Sequence, residues 1–325
     1  MSKEKVPVSI ITGFLGVGKT TLINKIVEKE GHKDFVLIEN EFSDLPIDGE
    51  LIAGISGNRV FELANGCICC TLDTELQETL LQLSKTDLNF NHLLIETTGI
   101  AEPEAIVQNL IANDELKELF FIDSICCIVD AQNFETNLKE KESINQLTVA
   151  DIVILNKTEK AETEELELIA NRIRILNPVC EIVPVCYGEY GEHQIIDKYF
   201  FNENSFNKTF NEVQIHTHSH DYKEHHHHEI LTESFLLKGS FDMEKFSMWM
   251  DYFLHINQNS IIRVKGLLSF EGISRKMIFQ AVKSAYTLEE GNFWQNNEER
   301  TNKIIFIGRK MDKESIREGI ESLIC

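Results

Sequence analysis

The chain has 325 residues, of which 42% are apolar and 26% charged, with only 5 prolines; this composition fits a folded protein and excludes disordered, collagen-like and mucin-like classes. The length exceeds what one hydrophobic core usually serves, so two domains are expected. With 53 acidic against 31 basic residues, a net charge of −22, nonspecific binding to nucleic-acid phosphates is not expected, and the acidic excess reads as solvated surface.

No apolar run approaches the roughly 20 residues of a bilayer-crossing helix. The opening MSKEKVPVSI lacks the apolar core of a signal peptide, so a cytoplasmic address with no membrane partner is expected. In that setting the 8 cysteines read as reduced thiols, some available to metal, rather than as a disulfide framework.

Up to about residue 184, short Val, Ile and Leu runs alternate with segments of helical period, which predicts an α/β domain with a mainly parallel sheet. A strand at 8–12 runs into Gly13-Phe14-Leu15-Gly16-Val17-Gly18-Lys19-Thr20-Thr21, and Leu22, Ile23, Ile26 and Val27 stripe the helix that follows. Strand, glycine-rich turn and helix in that order make a P-loop. Gly13, Gly16 and Gly18 let backbone N–H groups face phosphate oxygens, Lys19 reaches the β and γ phosphates, and the Thr20 hydroxyl, with Thr21 beside it, serves Mg²⁺.

A second strand at 35–40 leads into Glu39-Asn40-Glu41-Phe42-Ser43-Asp44. Next comes Asn65-Gly66-Cys67-Ile68-Cys69-Cys70, followed by a helix whose apolar face is Leu72, Leu76, Leu80 and Leu83. Three thiols so close to a helix N-terminus favour thiolates and one soft divalent ion, held by two or three of them with ligands from elsewhere. A strand at 93–97 ends in Glu96-Thr97-Thr98-Gly99, where a P-loop protein places a carboxylate beside its metal and a glycine that senses the γ-phosphate. Cys126 and Cys127 fall within a strand at 125–130 and read as core. The strand at 152–156 ends in Asn156-Lys157-Thr158-Glu159, similar to the Asn-Lys-x-Asp string with which GTPases grip guanine. Its carboxylate, here one methylene longer, accepts two hydrogen bonds that adenine cannot offer. A last strand is expected at 181–185.

Residues 216–228 hold His216, His218, His220, His225, His226, His227 and His228, seven of the chain's 11 histidines. This tract has no apolar face and is predicted to be a linker that collects metal through neutral imidazoles. The expected division is a P-loop domain over 1–212, a His-rich linker over 213–229 and a smaller α+β domain over 230–325. In the last, a strand near 235–237, a helix with Met243, Phe246, Trp249 and Phe253 in phase, strands near 261–270 and 303–307, and a helix carrying Ile316, Ile320 and Leu323 are predicted.

In order and spacing, these strings resemble the CobW-type family of P-loop GTPases, with Ala101 and Pro103 after Gly99, and with Arg263-Val264-Lys265-Gly266 and Phe306-Ile307-Gly308-Arg309 near the C-terminus. The resemblance implies a GTP-hydrolysing metallochaperone, in the broad class that inserts nickel into urease and hydrogenase, with Cys67, Cys69 and Cys70 as its metal motif. It further implies Lys19, Glu41, Glu96 and Gly99 as the catalytic set, Thr20 and Glu96 as Mg²⁺ ligands, and an auxiliary metal site at Glu39 and Asp44. Zn²⁺ is the favoured cargo, with Co²⁺, iron or nickel as alternatives, and a client metalloprotein is the expected partner. The chain is expected to be a monomer or a weak homo-oligomer that depends on metal or nucleotide. A nucleotide-binding metal buffer without a client is the competing reading, and a small-molecule kinase is disfavoured by the Asn156-Lys157 string.

Overall fold

A computed structural model describes residues 5–39, 60–62, 72–86, 89–198, 203–217 and 230–325. The chain divides into two compact units, Met1–Phe200 and Phe201–Cys325.

In the first unit the described elements are β1 (Val6–Gly13), α1 (Lys19–Lys29), β2 (Phe35–Glu39), β3 (Val60–Glu62), α2 (Leu72–Lys85), β4 (His92–Glu96), α3 (Pro103–Ala112), α4 (Asp114–Leu119), β5 (Phe120–Asp130), α5 (Phe134–Asn137), α6 (Lys141–Val149), β6 (Ile152–Asn156), α7 (Thr163–Leu176) and β7 (Glu181–Pro184). The strands form one seven-stranded sheet in the order β3-β2-β4-β1-β5-β6-β7, and each pairing is parallel. Helices on both faces bury the strands, which is why β2 and β6 are apolar almost end to end rather than alternating. The striped face of α1, Leu22, Ile23, Ile26 and Val27, is buried against Ile11, Leu37 and Ile128. Truncating one such leucine to alanine typically costs about 2–5 kcal/mol.

β5 begins at Phe120, ahead of the 125 that apolarity suggests, because polar Asp123 and Ser124 extend it. Both are fully buried, and Ser9 of β1 donates to Asp123 Oδ2 at 3.0 Å while lying 2.9 Å from His92 Nε2. Since the Ser9 hydroxyl hydrogen goes to Asp123, the His92 Nε2–H donates to Ser9. Cys126 and Cys127 are buried as expected, and burial raises both thiol pKa values, so neither is a ready thiolate.

The second unit holds α8 (Glu203–Thr217), β8 (Ile230–Lys238), α9 (Met243–Ile256), β9 (Ile261–Leu268), β10 (Arg275–Val282), β11 (Ala285–Phe293), β12 (Thr301–Arg309) and α10 (Lys313–Glu321). Its five-stranded sheet runs β11-β10-β9-β12-β8, antiparallel throughout. The two C-terminal strings lie on adjacent strands, with Phe306 opposite Val264 and Ile307 opposite Arg263. The sequence places a linker from 213, yet α8 continues through Thr217 and belongs with this unit. Phe206, Phe210 and Val213 give α8 a buried face, and Gln214 ties it to Ser234 of β8. Helix α9 buries Phe246, Met250 and Leu254, and Phe246 sits edge-on to Phe270 at 5.2 Å and to Phe279 at 5.3 Å.

Candidate nucleotide site

The C-terminal ends of the parallel strands meet where the sheet carries its loops, the usual ligand crevice of such folds. Register aligns them: Gly13 lies opposite Ile128, Glu39 opposite Glu96, and Asp130 opposite Asn156. Gly13, Gly16 and Gly18 all have positive φ, at 143°, 71° and 103°. A Cβ on Gly13 would lie 2.4 Å from the Ile128 carbonyl oxygen, and one on Gly18 would lie 2.6 Å from Asn156 Nδ2. The turn therefore follows the backbone more closely than any side chain allows.

Lys19, the first residue of α1, donates to the carbonyls of Gly13 at 3.2 Å and Phe14 at 3.5 Å. Its ammonium is thus held over the loop whose N–H groups would receive phosphates. Thr20 is half-buried and Thr21 exposed, and the first turn of α1 carries no acidic residue that would compete with an anion.

At the end of β4, Thr97 is locked to β1 by its backbone N–H to Ile11 O at 2.9 Å and by its hydroxyl to Thr12 Oγ1 at 2.8 Å. This fixes Glu96, half-buried, next to the P-loop strand and beside buried Glu39 in register on β2. The Glu96 carboxylate and the Thr20 hydroxyl are hard oxygen donors of the type Mg²⁺ takes. Gly99 is seated against the P-loop, where a Cβ would lie 2.7 Å from Leu15 N. Its carbonyl and that of Ala101 accept from Gln146 Nε2 of α6 at 3.1 and 3.0 Å.

At the other end, Asn156 donates through Nδ2 to Val17 O at 2.9 Å, while its Oδ1 is buried with no hydrogen-bond partner among the described residues. Lys157, in the left-handed region at φ 60°, donates to Gly16 O and to Asp130 Oδ2, each at 2.8 Å. Burial alone would raise the Asp130 pKa, but Lys157, the Asn133 side chain and the Gln132 N–H outweigh it, and the carboxyl is held below its usual range. Glu159 accepts from Gln132 Nε2 at 3.3 Å. Thr158 donates to Val185 O at 3.0 Å, and the loop after β7 closes on α1, since a Cβ on Gly188 would touch Thr21 and Lys25 at 3.2 Å.

The structure thus gathers Gly13, Gly16, Gly18, Lys19, Thr20, Thr21, Glu39, Glu96, Gly99, Asn156, Lys157 and Glu159 at one edge. Glu41, Asp44, Cys67, Cys69 and Cys70, together with His218, His220 and His225 to His228, lie outside the described residues, and His216 falls in α8. Sequence reading missed Asp130, Gln132 and Gln146. Asp130 alone carried a signal, as a polar residue ending a buried strand in the manner of Glu96 and Asn156.

A parallel sheet with a P-loop after its first strand, a carboxylate ending β4 and Asn-Lys ending β6 defines a P-loop GTPase. The CobW/HypB/UreG nucleotide-binding domain matches residues 7–184, and the cobalamin synthesis protein cobW C-terminal domain matches residues 232–324. The chain belongs to this CobW family. It is 30% identical over 331 residues to the zinc chaperone YjiA of Escherichia coli (strain K12), covering 98% of each chain. It is 29% identical over 320 residues to the zinc-regulated GTPase metalloprotein activator 1 of Schizosaccharomyces pombe, covering 88% of this chain and 77% of that one. Its fold agrees with the crystal structure of Zn(II)-bound YjiA GTPase from E. coli at a TM-score of 0.70 and 24% identity, over 99% of this chain and 100% of that chain.

Proposed function

We propose that this chain hydrolyses GTP to control the capture and release of zinc, which it hands to a client metalloprotein in the cytoplasm. The observation that carries the reading is that one loop receives both halves of the site: Asn156 and Lys157 bond to Val17 O and Gly16 O, while Gly99 rests on Leu15. Recognition of the base and sensing of the terminal phosphate are thereby tied to the same backbone. The names of the relatives, zinc chaperone and zinc-regulated GTPase metalloprotein activator, support zinc as the cargo.

In this reading the P-loop N–H groups and the N-terminus of α1 bind the phosphates, and Lys19 leaves its loop carbonyls for the β and γ oxygens. Thr20 and Glu96 would hold Mg²⁺, whose chemistry there is to neutralise charge on the phosphates. Glu159, oriented by Gln132, accepts from the guanine edge. Cys67, Cys69 and Cys70 supply the thiolates for zinc, with Glu39 and Asp44 as auxiliary donors and the His tract as a collector. Glu41 and Gly99 belong to the loops that respond to the nucleotide, and their relaxation after hydrolysis releases the metal.

The test is phosphate release from GTP by the wild type and by Lys19→Ala, each purified without a metal column, alongside zinc content. Turnover in the wild type and its loss in a folded K19A variant are expected. Equal turnover in both would overturn the nucleotide assignment.

A further inference from the structure

Gln146 lies in the middle of α6, 1% exposed, on a helix whose residues from Ser143 to Val149 are all buried. Its side chain does one thing: Nε2 donates to Gly99 O at 3.1 Å and to Ala101 O at 3.0 Å. Both acceptors are carbonyls, so the orientation of the amide is forced, with nitrogen toward the turn. The neighbouring Asn145 reaches Glu102 Oε1 at 3.5 Å, and the turn closes on itself through Ala101 N–H to Thr98 O at 3.1 Å. The turn that carries Gly99 is therefore stapled to α6 on one side and seated against Leu15 of the P-loop on the other.

Gln146 Oε1 is buried and has no hydrogen-bond partner among the described residues. A buried amide with one end satisfied and the other unpaired gains from its two bonds and loses from its orphan acceptor, and these effects are of similar size. Such a contact sets the position of the turn, and releasing the turn gives up both hydrogen bonds while the orphan acceptor stays buried.

The segment leading to α6 also touches the base end of the site. Asp130 pairs with Lys157, Gln132 bonds to Glu159, and the chain then continues through α5 into α6. Contacts at the base end and at the γ-phosphate sensor thus belong to one continuous stretch of chain.

We propose that Gln146 is a latch: a positioning residue that holds the Gly99 turn seated on the P-loop and so sets how strongly the site distinguishes GTP from GDP. The proposal rests on the GTPase reading above. It concerns the γ-phosphate alone, because GDP has nothing for Gly99 to sense.

The experiment compares wild type, Gln146→Met and Gln146→Asn in three measurements: affinity for GDP, affinity for a nonhydrolysable GTP analogue, and kcat and KM for GTP. Met keeps the length and removes both donors, whereas Asn keeps an amide in the core, one methylene too short to reach both carbonyls, and guards against a folding failure of Q146M. In Q146M the GTP-analogue affinity and kcat are expected to fall about tenfold, the size of two neutral hydrogen bonds, with GDP affinity unchanged; Q146N should lie between. A folded variant with wild-type discrimination and kcat overturns the latch. So does equal loss for both nucleotides, which would mark Gln146 as scaffold. Absence of GTP hydrolysis in the wild type would instead sink the GTPase reading, so the two failures are told apart.

Discussion

Asn156 Nδ2 donates to Val17 O at 2.9 Å, so the residue that ends the base-side strand is bonded to the loop that holds the phosphates. Asn156→Ala leaves the buried Val17 carbonyl unpaired, a loss of about 1–3 kcal/mol. Nucleotide affinity should fall by about 5- to 150-fold, with GDP and GTP affected alike. Titration with a fluorescent guanine nucleotide checks this, and unchanged affinity for both would show that the bond does not shape the site.

Gly18 faces that same amide. At its φ of 103°, a methyl group on Gly18 would lie 2.6 Å from Asn156 Nδ2, so alanine has no relaxed placement there. Gly18→Ala should lower thermal stability by about 1–3 kcal/mol and remove measurable nucleotide binding. Retained binding in a melt-and-titrate experiment would contradict the packing described.

The opposite end of the sheet gives a pH prediction. His92 is buried, bonded to Ser9, 3.6 Å from Asp197 Oδ1 and near the Lys33 ammonium, with Asp123 beyond Ser9. Burial is the main cause that lowers its pKa, Lys33 adds to this and Asp197 opposes it; the result is about 4. The unfolded value is about 6.5, so between these limits the unfolded chain binds the extra proton and the folded chain does not. Stability should therefore be full above pH ~6.5 and fall by up to about 3 kcal/mol as pH drops to ~4, with no further loss from this group below that. Denaturant midpoints against pH, for wild type and His92→Gln, test it; the variant should lose that part of the slope.

The two metal regions should separate by mutation. Serine in place of Cys67, Cys69 and Cys70 is expected to remove the tightest zinc site, because a neutral hydroxyl is a poor ligand beside a thiolate. Serine in place of the seven histidines of residues 216–228 should reduce the number of ions bound and leave the tightest site intact. Competition with a chelator reads both, and the reverse pattern would move the working site to the histidines.

The nucleotide edge was legible because its chemistry sits in short strings at the ends of apolar runs, where periodicity and motif agree. The hairpin of β10 and β11 was not, since β11 carries Glu289 and Glu290 and its turn uses Lys283 at φ 55° where a glycine would have signalled it. The three-residue β3 is too short to show a period. α8 was hidden by its polar residues, although Phe206, Phe210 and Val213 form its buried face. Gln146 could not be found from sequence, because its role depends on a long-range contact with Gly99 that no local pattern encodes.

In the proposed function nucleotide and zinc bind to one coupled device, and linkage requires such coupling to be reciprocal. The most direct measurement is the zinc affinity of the wild-type chain with GDP and with a nonhydrolysable GTP analogue, paired with the affinity for that analogue with and without zinc. Exchanging GDP for the analogue should shift zinc affinity by about 5–150-fold, the range usual for coupled sites, and zinc should shift the analogue's affinity relative to GDP's by the same factor. Zinc affinity that is identical in the two nucleotide states would contradict it and leave a metal-binding protein with an uncoupled GTPase site.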